Sequence, residues 1–293
     1  MEWVHGWRAM GVDCKVVCPV PLDAQWFEDA TAAYEQTFSR FRADSALRVL
    51  SRRGHGLVNA DLQQLLLASL DIAHWTTGMV VPHLGAALEA IGYDRTYATI
   101  EPNSAPIDVP HIPDWRHISV RGRTVSLPPG TQLDLNGVAK GWIAQRLAER
   151  TAQPRVLVEI GGEVAVIAPA DDPWCVAIDH PSAAEPLALL RLAVGTVATS
   201  STRERRWLRA GSVVHHIIDP RTAMPAATDV VTASVIAGDG VYAEAAAKVC
   251  ILLGATRGVA WLTDRQIPGL IYTEDHHVLT TPFLDPFLWE YDR

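Results

Sequence analysis

Cysteine is scarce in this chain. The four thiols in 293 residues, Cys14, Cys18, Cys175 and Cys250, are scattered, and no spacing among them matches a zinc-ligand pair. They read as small buried hydrophobes. Long apolar runs are missing too: no stretch of about 18 apolar residues is present to cross a bilayer. The opening segment, Met1 to Trp7, has no basic region, no long apolar core and no lipobox-like cysteine, so a soluble, cytoplasmic protein is expected. Runs of Lys and Arg are also lacking, and the net charge is −8, which argues against a nucleic-acid partner. Internal repeats and low-complexity tracts are absent.

What is present is material for a core: 48% of the residues are hydrophobic. Residues 11–20 alternate as a strand. Asp23 is placed to cap a helix carrying Phe27, Ala30, Tyr34 and Phe38. A polar connector follows at 39–45. Residues 60–75 form a second amphipathic helix closed by Thr77-Gly78, and 83–91 a shorter third. Residues 95–130 read as irregular with short strands. The runs 155–160 and 163–168, joined by Gly161-Gly162, carry a hairpin signal. Further strands are expected at 174–179, 188–194, 213–218, 231–237 and 269–274, with an Ala- and Val-rich buried helix at 240–253. The apolar tail after Pro282 is expected to pack back onto the body. Strands and helices mix without βαβ regularity, which predicts an α+β fold rather than a doubly wound sheet. One domain over 1–293 is expected.

The stretch Gln132 to Trp142 organises the rest. A short apolar lead breaks at Asn136-Gly137 and reopens as a helix over 138–149. Such a start leaves unpaired backbone N–H groups that suit an anion such as a pyrophosphate. Asp134 precedes the break and Lys140 lies on the first helical turn. Taken alone, the stretch reads equally well as an ordinary Asn-Gly turn with an exposed lysine.

Several pieces occur in a telling order: Ser39-Arg-Phe41 with Asp44-Ser45; Thr77-Gly78 with Pro82; Asp134-Leu-Asn-Gly-Val-Ala-Lys-Gly141; Glu159-Ile-Gly-Gly162; Ala198-Thr-Ser200; and His216-Ile-Ile-Asp-Pro-Arg-Thr222. Together, over about residues 10–253, the chain resembles the ApbE family, the FAD:protein FMN transferases. The resemblance implies a two-lobed architecture with a flavin cleft. It also implies cleavage of FAD with Mg²⁺, transfer of FMN through a phosphoester to a Thr or Ser hydroxyl of an acceptor protein, and release of AMP. A pyrophosphate under attack needs its charge neutralised and its leaving oxygen stabilised.

Carried over by position, the resemblance implies cofactor contacts from Met10, Phe41, Met79, Val80, Val81, Asp134, Lys140, Thr199, Ser200 and His216. It implies catalytic roles for His216, Asp219 and Lys248, and a metal place formed by the Gly137 carbonyl, Glu244 and Lys248. On their own, Met10 and Phe41 read as core as readily as ligand contacts. Arg203, Arg205 and Arg206 form a basic cluster that is either a solvated face or a phosphate contact. His215 points away from His216 and reads as structural.

Departures from the family pattern fall on the metal side. Where family members carry Ala-Asp-Ala-x-x-Thr, this chain has Ala243-Glu-Ala-Ala-Ala-Lys248. Val81 stands for an Asp and Ser201 for a Gly. A protonated lysine has no lone pair for a metal. Lys248 is therefore expected to take the metal's place and meet a phosphate oxygen, unless it swings into solvent and leaves Glu244 to hold Mg²⁺. The alternatives to transfer are a flavin-binding protein without transferase chemistry and an FAD pyrophosphatase.

Overall fold

Strand-forming runs separated by turn residues build one large sheet. The computed structural model describes residues 2–289. Eight strands form a sheet whose spatial order follows the chain: Trp3–Ala9, Val12–Cys18, Val156–Ile160, Glu163–Ile167, Val194–Ser201, Val230–Ala237, Gly269–Thr273 and Val278–Thr280. Every neighbouring pair is antiparallel. The α+β expectation holds.

Both faces of the sheet are covered, so several strands read as continuous apolar runs. Val156, Val158 and Ile160 join a helical layer with Phe27, Leu66, Leu147 and Ala245. Leu157, between them, packs on the opposite face with Trp174, Leu190 and Leu284. The helices are α1 (Ala24–Phe38), α2 (Ala46–Arg53), α3 (Ala60–Trp75), α4 (Gly85–Ala90), α5 (Ala139–Arg150), α6 (Gly240–Leu253) and α7 (Ala255–Asp264). Asp23 caps α1 by accepting from the Gln25 and Trp26 amides. The apolar tail returns as expected: Leu284 is buried and the Trp289 amide donates to the Leu189 carbonyl.

A smaller lobe forms around Leu88, Ile91, Tyr93, Trp207, Val214 and Ile218. It joins α4 to the hairpin Arg206–Arg209/Ser212–His215. The Trp207 indole locks the two parts by donating to the Ile91 carbonyl at 2.7 Å. The expected strand over 213–218 breaks at His216 and resumes only at Ile218–Asp219. That break frees His216 from sheet pairing. Among the described residues, no helix is long and apolar enough to cross a membrane.

The structure adds elements that periodicity did not show, among them the sheet strands Val194–Ser201 and Val278–Thr280. Strand Trp3–Ala9 is interrupted in pattern by Gly6, but Trp3, His5 and Trp7 stack along one face. Helix α2 is short and basic, with only Leu47 and Leu50 as buried anchors. Helix α7 starts directly after α6 at Gly254 and carries Gly258, whose missing side chain lets it approach Cys250. Conversely, the lead into the central stretch is extended but joins no strand; its one bridge links Gln132 to Leu84.

Three hairpins turn on pairs of residues in the left-handed region, one of them at Ala210 and Gly211 with φ of +49° and +78°. Met10 and Gly11 have φ of +53° and +73°, and Gly161 and Gly162 have +57° and +97°, as expected for primed two-residue turns. A Cβ on Gly161 would lie 2.7 Å from Val12, whereas one on Gly211, also in the left-handed region, would meet nothing within 4 Å. Gly211→Ala is therefore expected to cost only backbone strain, about 1 kcal/mol. Gly161→Ala should cost clearly more, about 2–4 kcal/mol, because strain and overlap add. Urea denaturation of the two variants checks this, and equal losses would contradict it.

Candidate functional site

The centre of the site is made by an unusually close helix crossing. Helices α5 and α6 meet at Gly141 and Gly240, where an added Cβ on either would stand 2.2–2.3 Å from the other's carbonyl oxygen. Only glycine fits at both positions. The contact slides Glu244 of α6 beneath the first turn of α5. Glu244 is fully buried, and its Oε2 accepts the Gly141 amide at 2.9 Å. Its Oε1 accepts Lys140 at 2.9 Å and Lys248 at 3.0 Å. A side chain from another helix thus caps α5, whose own N-cap residue Val138 offers none.

Glu163, 1% exposed, closes the cluster from the sheet with an ion pair to Lys140 at 2.5 Å. The two carboxylates respond differently. Burial raises Glu163, Lys140 lowers it in part and Glu244 raises it again, leaving it at about 7. Burial also acts to raise Glu244, but Lys140, Lys248 and the Gly141 amide outweigh it and hold it at about 2. Lys140 is raised despite burial by its two carboxylates, while burial lowers Lys248.

Above this cluster lies a cleft with two chambers. The inner one, about 70 Å³, is lined by Met79, Val80, Val81, Asp134, Gly137, His216 and Lys248 among others. The outer one, about 330 Å³, is lined by Met10, Phe41, Lys140, Arg40 and their neighbours. Tyr93, Asn136 and Arg205 border both. The outer chamber carries Arg8, Arg40, Arg42, Lys140 and Arg205 against the single carboxylate Glu35, in a chain whose net charge is −8. Such a concentration attracts anions.

Asp134 is fixed at the floor. Its carboxylate accepts the Asn136 amide at 2.8 Å and pairs with Arg40 Nε at 2.7 Å, both side chains being almost fully buried. The Arg40 guanidinium lies over the rings of Phe41 and Tyr93. His216 is held well below its ordinary value, first by burial and then by the charges of Arg205, Lys248 and Lys140 together with His215. It is therefore a neutral imidazole at pH 7, and its buried Nδ1 has no hydrogen-bond partner among the described residues.

The cleft brings together Met10, Phe41, Met79, Val80, Val81, Asp134, Gly137, Lys140, His216 and Lys248. Glu244 lies beneath its floor. Thr199 and Ser200 do not line it; the Thr199 hydroxyl pairs with Ser234 at 2.8 Å within the sheet. Asp219 is engaged by Arg221 at 2.6 Å and also lies outside it. His215 is engaged by its own surroundings: its Nε2–H donates to the Ala226 carbonyl at 3.0 Å and its Nδ1 accepts the Ile217 amide at 3.2 Å. Lys248 is turned inward rather than into solvent, at 16% side-chain exposure. The helix start expected to offer free N–H groups is partly used up, since the Gly141 amide belongs to Glu244. Among the described residues no group of three or more His, Cys, Asp or Glu is placed to hold a metal ion.

Five residues of the site were not singled out as site residues by sequence reasoning: Arg40, Tyr93, Asn136, Glu163 and Arg205. Arg40 and Asn136 sat inside recognised motifs, and Arg205 in the noted basic cluster. Nothing in the pattern around Tyr93 or Glu163 marked them, because their roles depend on partners far away in the chain.

A two-lobed α+β protein with a basic cleft and a buried histidine at its inner end is the class defined by these features. Residues 10–271 match the ApbE family, and the chain belongs to it. It is 31% identical over 264 residues to the FAD:protein FMN transferase of Treponema pallidum (strain Nichols), covering 80% of this chain and 72% of that protein. It is 32% identical over 241 residues to that of Rhodobacter capsulatus, covering 77% of this chain but 45% of the relative, so the match spans under half of that protein. The fold is shared with the crystal structure of the ApbE protein from Thermotoga maritima, with a TM-score of 0.85, 21% identity, and coverage of 99% of this chain and 100% of that one.

The split between the two carboxylates has a measurable consequence. The folded pKa of Glu163, about 7, lies above its ordinary 4.5. Between those values the folded protein keeps a proton that the unfolded chain has lost, so this group makes stability fall as pH rises from about 4.5 to about 7. Glu244 works in the opposite sense and at lower pH. Glu163→Gln should remove the first slope. Its melting temperature relative to wild type is expected to rise between pH 5 and pH 8, and a difference that stays constant would contradict the assignment.

Proposed function

We propose that this protein is an FAD:protein FMN transferase. It binds FAD in the two-chambered cleft, joins FMN through a phosphoester to a Thr or Ser hydroxyl of an acceptor protein, and releases AMP. The observation that carries the reading is the convergence, in one basic cleft, of segments spread from Met10 to Lys248. Family membership and the names of the relatives support it.

In this reading the acceptor oxygen attacks the FMN-side phosphorus and the bond to the AMP oxygen breaks. His216, neutral at pH 7 because of its burial and neighbouring cations, takes the proton of the attacking hydroxyl. Such a group must be unprotonated to act as a base. Lys140 and Lys248 lie along the cleft where the phosphates pass, each anchored from behind by Glu244. Asp134 and Asn136 shape the floor, and Met79, Val80 and Val81 supply an apolar wall. Thr199, Ser200 and Asp219 support the surrounding sheet and loop.

The residues at the place implied for Mg²⁺ do not fit a divalent cation. Both oxygens of Glu244 are already engaged by Gly141, Lys140 and Lys248. Lys248 adds a positive charge there, which repels a second one. No step is therefore assigned to a metal.

Incubation of the purified protein with FAD and a Thr-containing acceptor peptide tests the reading. Mass spectrometry should find the FMN adduct, and AMP should appear in equal amount; AMP without adduct would mean that water is the acceptor. Replacing His216 by Ala should slow adduct formation by about 100-fold or more while leaving FAD affinity within a few-fold. An unchanged rate would remove His216 from the chemistry.

A further inference from the structure

The charge arrangement at the junction of the two chambers goes further, resting on the flavin reading above. Among the described residues, Arg205 is the only charged side chain bordering both chambers. It projects from the polar segment after strand Val194–Ser201, and its Nη1 donates to the Tyr93 hydroxyl at 3.2 Å. Tyr93 borders both chambers as well. Lys248 lines the inner chamber and Lys140 the outer. Glu244 ties these two ammonium groups together through one oxygen, at 2.9 and 3.0 Å. The three cations therefore reach the junction from different elements: Lys140 from α5, Lys248 from α6 and Arg205 from the smaller lobe.

We propose that Arg205, Lys140 and Lys248 form a seat for a phosphoanhydride at the chamber junction, so that the anion is bound by side-chain cations and needs no divalent metal. A pyrophosphate bridging the chambers places its bridging region where both pockets meet. The guanidinium offers a planar fork of donors for phosphate oxygens, and each ammonium offers a compact point charge. The Glu244 charge is already met by two ammonium groups and a backbone amide, and this engagement aims both lysines. Beside them, burial and then the charges of Arg205, Lys248 and Lys140 lower the His216 pKa.

Isothermal titration of the intact protein tests this with three probes: FAD, riboflavin, and inorganic pyrophosphate, the last in EDTA only. FAD should bind with the same affinity, within about two-fold, in EDTA and in Mg²⁺. Pyrophosphate should bind in EDTA. Arg205→Gln should weaken FAD and pyrophosphate by roughly tenfold or more, as expected for a charge-assisted contact, and leave riboflavin unchanged. Arg205→Lys should recover part of the loss. Arg203→Gln, an exposed neighbour outside both chambers, should change nothing, which separates a local effect from general loss of charge.

Loss of FAD affinity in EDTA by more than tenfold overturns the proposal, as does an Arg205→Gln variant that binds like wild type. Riboflavin binding as tight as FAD also overturns it, since the anion would then contribute nothing. If pyrophosphate binds with the expected Arg205 dependence but FAD does not, the flavin reading fails and the anion seat stands. If neither binds, both fail.

Discussion

The site depends on one buried carboxylate. Glu244 sits under the first turn of α5 because two glycines, Gly141 and Gly240, let the helices approach until backbone touches backbone. Burying a charge there would be strongly unfavourable alone. It is offset by two ammonium groups and a backbone amide, all within 3.0 Å. The arrangement satisfies the start of α5, fixes the direction of Lys140 and Lys248, and commits the Glu244 charge to these three donors. A side chain that stabilises the fold thereby sets the chemistry available above it.

The surroundings extend the same logic. An acidic protein sets Arg8, Arg40, Arg42, Lys140, Arg205 and Lys248 around one cleft, a concentration that favours an anionic ligand there. Within the cleft burial first, and then the neighbouring cations, keep His216 neutral, the state in which an imidazole accepts a proton. Glu163, whose pKa burial raises to about 7, sits behind Lys140. Electrostatics, more than shape, distinguishes this cleft from an ordinary groove between lobes.

Much of the fold was legible in the residues. Asp23 signalled the start of α1, the periodicity of residues 60–75 matched α3, and Gly161-Gly162 marked its hairpin, because capping, helical spacing and positive φ are local properties. Elements lacking such signals were missed: α2 has two apolar anchors, and α7 follows α6 with only Gly254 between them. The ordered motifs led to the ApbE family, which the match over residues 10–271 shows.

Residue identity and near-neighbour spacing were enough for the family, for the substitutions Glu244 and Lys248, and for the elements that carry local signals. Only the tertiary structure decided which groups meet. Lys140 and Glu244 are 104 residues apart and Arg205 and Tyr93 112 apart, distances over which no periodicity operates. It decided that Lys248 turns inward, that Thr199 pairs with Ser234 instead of facing the cleft, and that Glu163 joins the charge cluster. The physical reason is the same each time: burial and charge pairing are set by the packing of elements from distant parts of the chain, and a pKa or an orientation exists only once that packing is made.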